Sequence, residues 1–170
     1  VSGYNNTLLA NFSFISGNSN VQSDGVGIGT FITGSNNTHS NALYAFVSGY
    51  LNNVSGSGHY SFTHGTELAN SGVYSFLIGA FGNMTHSGNA MLLDGSASTM
   101  SSSTANQFTG RFANGYRFML GASTRAVGIN SSGNVFFDNV SNDNDLTDII
   151  VRAGSGELKY RTVSSLPFTN

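Results

Sequence analysis

An all-β solenoid, in which short parallel strands wind into stacked coils, is the fold class this sequence predicts. Three observations predict it. First, one phrase closed by glycine recurs six times in the first 95 residues. Its copies are Asn11-Phe-Ser-Phe-Ile-Ser-Gly17, Thr30-Phe-Ile-Thr-Gly34, Leu43-Tyr-Ala-Phe-Val-Ser-Gly49, His59-Tyr-Ser-Phe-Thr-His-Gly65, Val73-Tyr-Ser-Phe-Leu-Ile-Gly79 and Asn89-Ala-Met-Leu-Leu-Asp-Gly95. Second, the closing glycines, counted from Gly3 of a truncated copy (Val1-Ser2-Gly3), lie 14, 17, 15, 16, 14 and 16 residues apart. Third, side chains inside the phrases alternate with period two, and apolar residues at helical spacing are absent. Self-similarity at so short a period means stacked units that cannot bury a core alone.

Each phrase reads as one strand. A weaker second half follows it, as in Asn37-Thr-His-Ser-Asn41, Asn53-Val-Ser-Gly-Ser57, Glu67-Leu-Ala-Asn-Ser71 and Asn83-Met-Thr-His-Ser87, and reads as a shorter strand. Two short strands and two turns consume about 14–16 residues. The closing glycines Gly3, Gly17, Gly34, Gly49, Gly65, Gly79 and Gly95 are expected at the turns, where glycine reaches positive φ without strain. The interior of so thin a coil holds one row, and Phe14, Phe31, Phe46, Phe62, Phe76 and Leu92 are the candidates to fill it. The tyrosine row Tyr44, Tyr60 and Tyr74 then remains outside, and packing three copies about an axis would bury it.

Composition narrows the function classes. Charged residues are 8% of the 170-residue chain, against the usual ~25%. Residues 1–95 hold Asp24, Glu67 and Asp94 but no lysine or arginine, so no basic patch exists there for phosphates. No apolar run reaches the ~20 residues of a membrane helix. Without cysteine, neither disulfides nor thiolate metal sites can form. The chain begins and ends within its pattern and is expected to be a segment of a longer polypeptide.

The recurring pattern Gly-x-x-Asn-x-(Thr/Val/Ala)-x-Ser-Gly-x-Tyr-Ser-Phe-x-x-Gly, clearest at 50–65 and 65–79, resembles the head repeats of YadA-like trimeric autotransporter adhesins. Similar repeats occur in phage and giant-virus surface fibres. The resemblance implies a left-handed parallel β-roll, homotrimeric through its inner faces, on a cell or virion surface. It covers residues 1–95, with two departures. Gln22–Gly29 carries a two-residue insertion around Asp24-Gly25, expected to bulge outward. Asn89–Asp94 lacks the Tyr-Ser-Phe and is expected to be a terminal cap.

After the head (1–95), Ser96–Thr104 reads as a serine-rich connector and 105–170 as a β-hairpin-rich stalk. Asn114-Gly115 signals a hairpin. Two more are expected, Ala126–Ile129 with Asn134–Phe137 and Asp148–Ala153 with Glu157–Val163. The stretch Asn106-Gln-Phe-Thr-Gly-Arg-Phe-Ala-Asn-Gly-Tyr-Arg-Phe118 is similar to a segment of fibres that end in an endosialidase-type intramolecular chaperone.

Candidate sites are few. His39 and His86 both stand in Thr-His-Ser and would form rings of three about a threefold axis; a turn histidine on the outer wall accounts for them more simply. Asp143, Asp145 and Asp148 give oxygen density for calcium, but a turn capped by Asn and Asp explains them better. Sequons at Asn5, Asn11, Asn36, Asn53, Asn83, Asn130 and Asn139 number seven, where composition alone gives about five. Glycoside hydrolysis needs two carboxylates at a set separation, and the repeats hold one acid in each of three coils. No enzyme activity and no cofactor are expected. The expected role is a structural and adhesive fibre segment that attaches to a host cell, glycan or matrix protein, with an architectural filament subunit as the alternative.

Overall fold

The computed structural model describes residues 1–23, 28–119, 125–137, 148–152 and 158–162. The chain divides into two compact units: Val1–Tyr116 with Ile129–Asn134, and Arg117–Gly128 with Val135–Asn170. The insertion at Asp24-Gly25 lies outside the described residues.

The first unit carries a parallel β-solenoid of about seven turns, compatible with a β-roll. Its wider sheet stacks the strands β1 (Ser2–Tyr4), β3 (Phe14–Asn18), β5 (Phe31–Ser35), β7 (Phe46–Tyr50), β9 (Phe62–Thr66), β11 (Phe76–Ala80), β13 (Ala90–Leu93) and β15 (Phe108–Arg111). The narrower sheet stacks β2 (Thr7–Leu8), β4 (Val21–Gln22), β6 (Thr38–His39), β8 (Asn53–Val54), β10 (Ala69–Asn70), β12 (Gly82–Met84) and β14 (Met100–Ser101). Register follows the repeat: Phe14, Phe31, Phe46, Phe62 and Phe76 form one column, and Gly17, Gly34, Gly49, Gly65 and Gly79 another.

The interior row lies one residue beyond the phenylalanines. Ile15, Ile32, Val47, Thr63, Leu77 and Met91 are fully buried, whereas Phe14, Phe31 and Phe76 are exposed and Phe46, Phe62 and Leu92 half-buried. The expected core stack is therefore corrected. Two sheets this close admit aliphatic side chains between them, and the larger rings stack on each other outside. Leu92 falls in a different column, opposite Ile78; the partner of Phe76 in that coil is Ala90.

The glycines are corrected in the same way. Six of the seven sit inside or at the end of the wide-sheet strands rather than at corners. At Gly49, φ is +114° and a Cβ would lie 2.0 Å from the carbonyl oxygen of Gly65 in the next coil. Close backbone stacking, not turning, demands glycine there. Gly95 does not belong to the column: the residue above Gly79 is Leu93, and Gly95 faces open space.

The corners carry non-glycine residues in the left-handed region: Asn5, Ser19, Asn36, Leu51, Glu67 and Phe81, with φ of 53–56°. That conformation costs roughly 1–2 kcal/mol per residue. Each corner N–H from Ser19 onward donates to a carbonyl of the preceding coil, for example Ser19 to Tyr4 at 2.9 Å and Glu67 to Tyr50 at 2.9 Å. The corner after Asn5, Ser19, Asn36 and Leu51 holds Asn6, Asn20, Asn37 and Asn52, which form a ladder through the solenoid. Asn37 donates to the Asn20 side-chain oxygen at 3.0 Å, to Thr33 O at 2.9 Å and to Gly49 O at 2.9 Å. Its own oxygen accepts from the backbone and side-chain nitrogens of Asn52, both at 3.0 Å. Their sequence signal is the Gly-x-x-Asn spacing, which persists from Gly3 to Asn52 and lapses at Leu68.

The solenoid runs past residue 95. The 96–104 segment expected as a connector contains β14, and β15 lies beside β13, so Asn89–Asp94 is not the terminal coil. Arg111 closes the end. Its guanidinium donates to the carbonyls of Ala80 (2.9 Å), Asp94 (3.2 Å), Ser96 (3.1 Å) and Ser98, and its Nε meets the Asp94 carboxylate at 3.1 Å.

Asn114-Gly115 does form a turn, with Gly115 N–H on Phe112 O at 2.8 Å, but not a hairpin. The strand before it stays in the solenoid. The strand after it, β16 (Gly115–Met119), joins β17 (Arg125–Asn130) and β18 (Val135–Phe137) in a three-stranded sheet. The third expected hairpin is present as β19 (Asp148–Arg152) paired antiparallel with β20 (Leu158–Thr162).

Candidate functional site: an aromatic groove

The third edge of each coil is a single left-handed residue, and these stack as Phe12, Gly29, Tyr44, Tyr60, Tyr74, Gly88 and Asn106. Each from Gly29 onward hands its N–H to the preceding coil, as Tyr44 does to Ile28 O at 2.8 Å. The pinned backbone sets the tyrosine rings one above another. Tyr44–Tyr60 and Tyr60–Tyr74 centroids are 5.4 and 5.1 Å apart, with planes within 16°. Two residues along, the phenylalanines make a parallel ladder with centroids 4.7–5.2 Å apart, four contacts long. Between the ladders, Ala45, Ser61 and Ser75 form a small-residue floor. Ser61 and Ser75 spend their hydroxyls on Gly58 O and Gly72 O, both at 2.7 Å.

The result is an open groove of about 600 Å³ from Gly29 and Phe31 to Tyr74 and Phe76. None of its lining side chains is charged. Tyr44 and Tyr60 are about half exposed and Tyr74 is 69% exposed. Stacking covers ring faces and turns ring edges outward, so along most of its length the groove offers edges.

The histidines do not form one column. His39 is fully buried in β6, in register with Val54, while His86 follows β12 two positions beyond the matching residue Met84. The outer-wall expectation is thus corrected for His39: the second half of the coil is a strand whose second residue points inward, alongside Gln22, Val54, Asn70 and Met84. His86 Nδ1 lies 2.9 Å from the Ser102 hydroxyl, which also accepts from Thr85 N–H at 3.0 Å. His59 Nδ1 accepts from Leu43 N–H at 2.9 Å, and exposed His64 lies 3.0 Å from Ser48 Oγ.

Among the described residues no group of three His, Cys, Asp or Glu side chains could hold a metal ion. Asp143, Asp145 and Asn139 lie outside the described residues, and Asp148 opens β19. Of the other sequons, Asn5 and Asn36 occupy exposed corners, Asn11 and Asn53 are exposed, and Asn83 and Asn130 are half-buried. The Asp94 carboxyl titrates low. The Ser96 hydroxyl, then the Ala113 N–H and Arg111, hold its carboxyl down at about 2.

No family model matches this chain, and neither a curated protein nor a solved structure shows a match to it. The groove and the solenoid that builds it therefore carry the functional argument.

Proposed function

We propose that this chain is a structural and adhesive segment of a homotrimeric surface fibre, a YadA-like head of left-handed β-roll followed by a β-rich stalk, that attaches to a host cell, glycan or matrix protein at a cell or virion surface. The observation that carries the reading is the aromatic groove. A monomer that leaves two aromatic ladders side by side exposes an apolar stripe of a kind soluble monomers avoid. A second copy of the same chain repeats at the same axial spacing, so its ridges match the stacked ring edges of the groove, while the end faces of Tyr74 and Phe76 stay outside that contact. Uncharged walls suit such contact, since no ion has to be stripped of water.

Light scattering of the purified chain tests the assembly. A mass three times 17.8 kDa is expected, and a stable 17.8 kDa species overturns the trimer. Phe46→Asp should drop the mass to that of one chain while leaving the β circular dichroism in place. Adhesion is tested separately on glycan and matrix-protein arrays; a blank array leaves the architectural filament. One observation favours that second reading: the covered ring faces of the ladders cannot stack on sugar rings.

A further inference from the structure

Both ladders miss a rung in the same coil. In the left-handed column Tyr74 is followed by Gly88 and then Asn106. In the phenylalanine column Phe76 is followed by Ala90 and then Phe108. Gly88 and Ala90 are two residues apart on one coil, so the two vacancies lie side by side. The flanking rungs are two strand spacings apart, ~9.6 Å. One ring placed between them would sit ~4.8 Å from each, close to the 4.7–5.4 Å spacing that the rings of this chain already adopt.

The slot differs from the rest of the groove in what it presents. Tyr74 and Phe76 are the last rings of their ladders, so each has one face that no ring of its own ladder covers. Tyr74 is accordingly the most exposed rung of the tyrosine ladder at 69%, and Phe108 across the slot is 65% exposed. At the other end of the tyrosine ladder, Gly29 also leaves a rung empty, but Tyr44 leans over it: a Cβ on Gly29 would lie 2.6 Å from Tyr44 Cδ1. Over Gly88 the leaning group is the short Asn106 carboxamide, whose Oδ1 would lie 2.2 Å from a Cβ there. The foot of this rung is therefore held by a small polar group, where that of Gly29 is covered by a ring.

We infer that this slot is a subsite for one uncharged hexopyranose ring of a glycan. The inference rests on the adhesive reading above and names its ligand. A pyranose has C–H faces for Tyr74 and Phe76 and hydroxyls for the Asn106 carboxamide, which both donates and accepts. An aromatic side chain from a second copy would satisfy the rings and leave the carboxamide without a partner. None of Tyr74, Phe76, Gly88, Ala90, Asn106 and Phe108 carries a charge, which favours a neutral sugar over a uronic or sialic acid.

The test uses the full chain, a panel of neutral hexose and N-acetylhexosamine oligomers, and tyrosine fluorescence or calorimetry as the readout. Ala90→Phe fills the vacancy from within by a side chain the column already accepts elsewhere; it should raise the melting temperature and weaken binding at least tenfold. Tyr74→Ala should weaken binding similarly. Tyr60→Ala, which removes a ring sandwiched between two others, should change it less than twofold. Binding by the parent chain that survives Ala90→Phe unchanged overturns the slot while leaving adhesion standing. A panel with no binder overturns both. Loss of the assembled mass in Tyr74→Ala with sugar binding intact assigns the slot to a second copy and overturns the sugar.

Discussion

The N-terminal coils and the C-terminal coils of the solenoid share a backbone and differ in what holds them together. Through Asn52 the corner column is an amide ladder, and the aliphatic interior beside it is Leu8, Ile15, Ile32, Val47 and Val54. From Leu68 onward the ladder is replaced by a second cluster of Leu68, Leu77, Met84, Met91 and Leu93. The last ladder oxygen, on Asn52, ends on the backbone N–H of Leu68 at 3.1 Å, so the switch leaves that acceptor paired. Next in the column is Gly82, whose missing side chain is replaced by the methyls of Leu93, Leu77 and Leu68 crowding the same space. One winding geometry thus accepts two chemistries. Amide rungs are directional and each needs the rung before it; leucine and methionine fill volume without fixed partners.

The sharpest way to break this comparison is to add one methyl group to each half. Gly49→Ala places its Cβ against a backbone oxygen, at a φ of +114°. A loss above about 4 kcal/mol is expected, seen as failure to fold or a collapsed denaturation midpoint. Gly82→Ala meets a Leu93 methyl at 2.6 Å with no positive φ, and side chains can move. A loss of only about 1–3 kcal/mol is expected by the same measurement. Next comes Asn37→Leu, which imports the C-terminal chemistry into the ladder. It takes a donor from the Thr33 and Gly49 carbonyls and an acceptor from the Asn52 backbone N–H, while Asn52 Nδ2 keeps Ser48 O and Gly65 O, and should cost about 2–4 kcal/mol in urea denaturation. A loss under about 1 kcal/mol would mean the ladder adds little to stability.

Met84→Ala probes the other half. The cavity should cost about 2–3 kcal/mol, the low end for buried methionine, because Met91 and Met100 can lean into it. The smallest effect is expected from acid. Asp94 titrates at about 2, below its ordinary 3.8. A folded-state value below the unfolded one means the contribution is complete above pH ~4 and lost as pH falls through about 2. Proton exchange or circular dichroism between pH 5 and pH 1.5 should show the Arg111 end opening first. Simultaneous melting of the N-terminal coils would show that the two halves unfold as one.

Much of this was legible in the repeat. The phenylalanine register follows from spacing alone, and Phe46, Phe62 and Phe76 do line up in one column. Which row faces inward was not legible, because each phrase sets a phenylalanine directly before an aliphatic residue, as in Phe46-Val47 and Phe76-Leu77. Alternation then puts a large apolar side chain on both faces, and the greater hydrophobicity of phenylalanine points to the wrong one. The glycines were recognised for a property they use, positive φ, but the need arises from the neighbouring coil, which no single repeat contains. For the same reason the amide ladder was hidden: its bonds between coils join residues 11–17 positions apart. The paired vacancies at Gly88 and Ala90 are hidden in the sequence, because the phrase offers Leu92 for the phenylalanine column where the register places Ala90.

Arg111 gives the winding a direction. In earlier coils the carbonyls of Asn18, Ser35, Tyr50 and Thr66 each receive the corner amide of the following turn. The equivalent oxygen on Ala80 is taken instead by a guanidinium. A further turn added at that end would have to displace a cation already anchored to a carboxylate, whereas duplicating any earlier turn disturbs nothing of the kind. Length in this molecule is therefore free to vary at every level but the last, where a single long side chain acts as the knot in the thread.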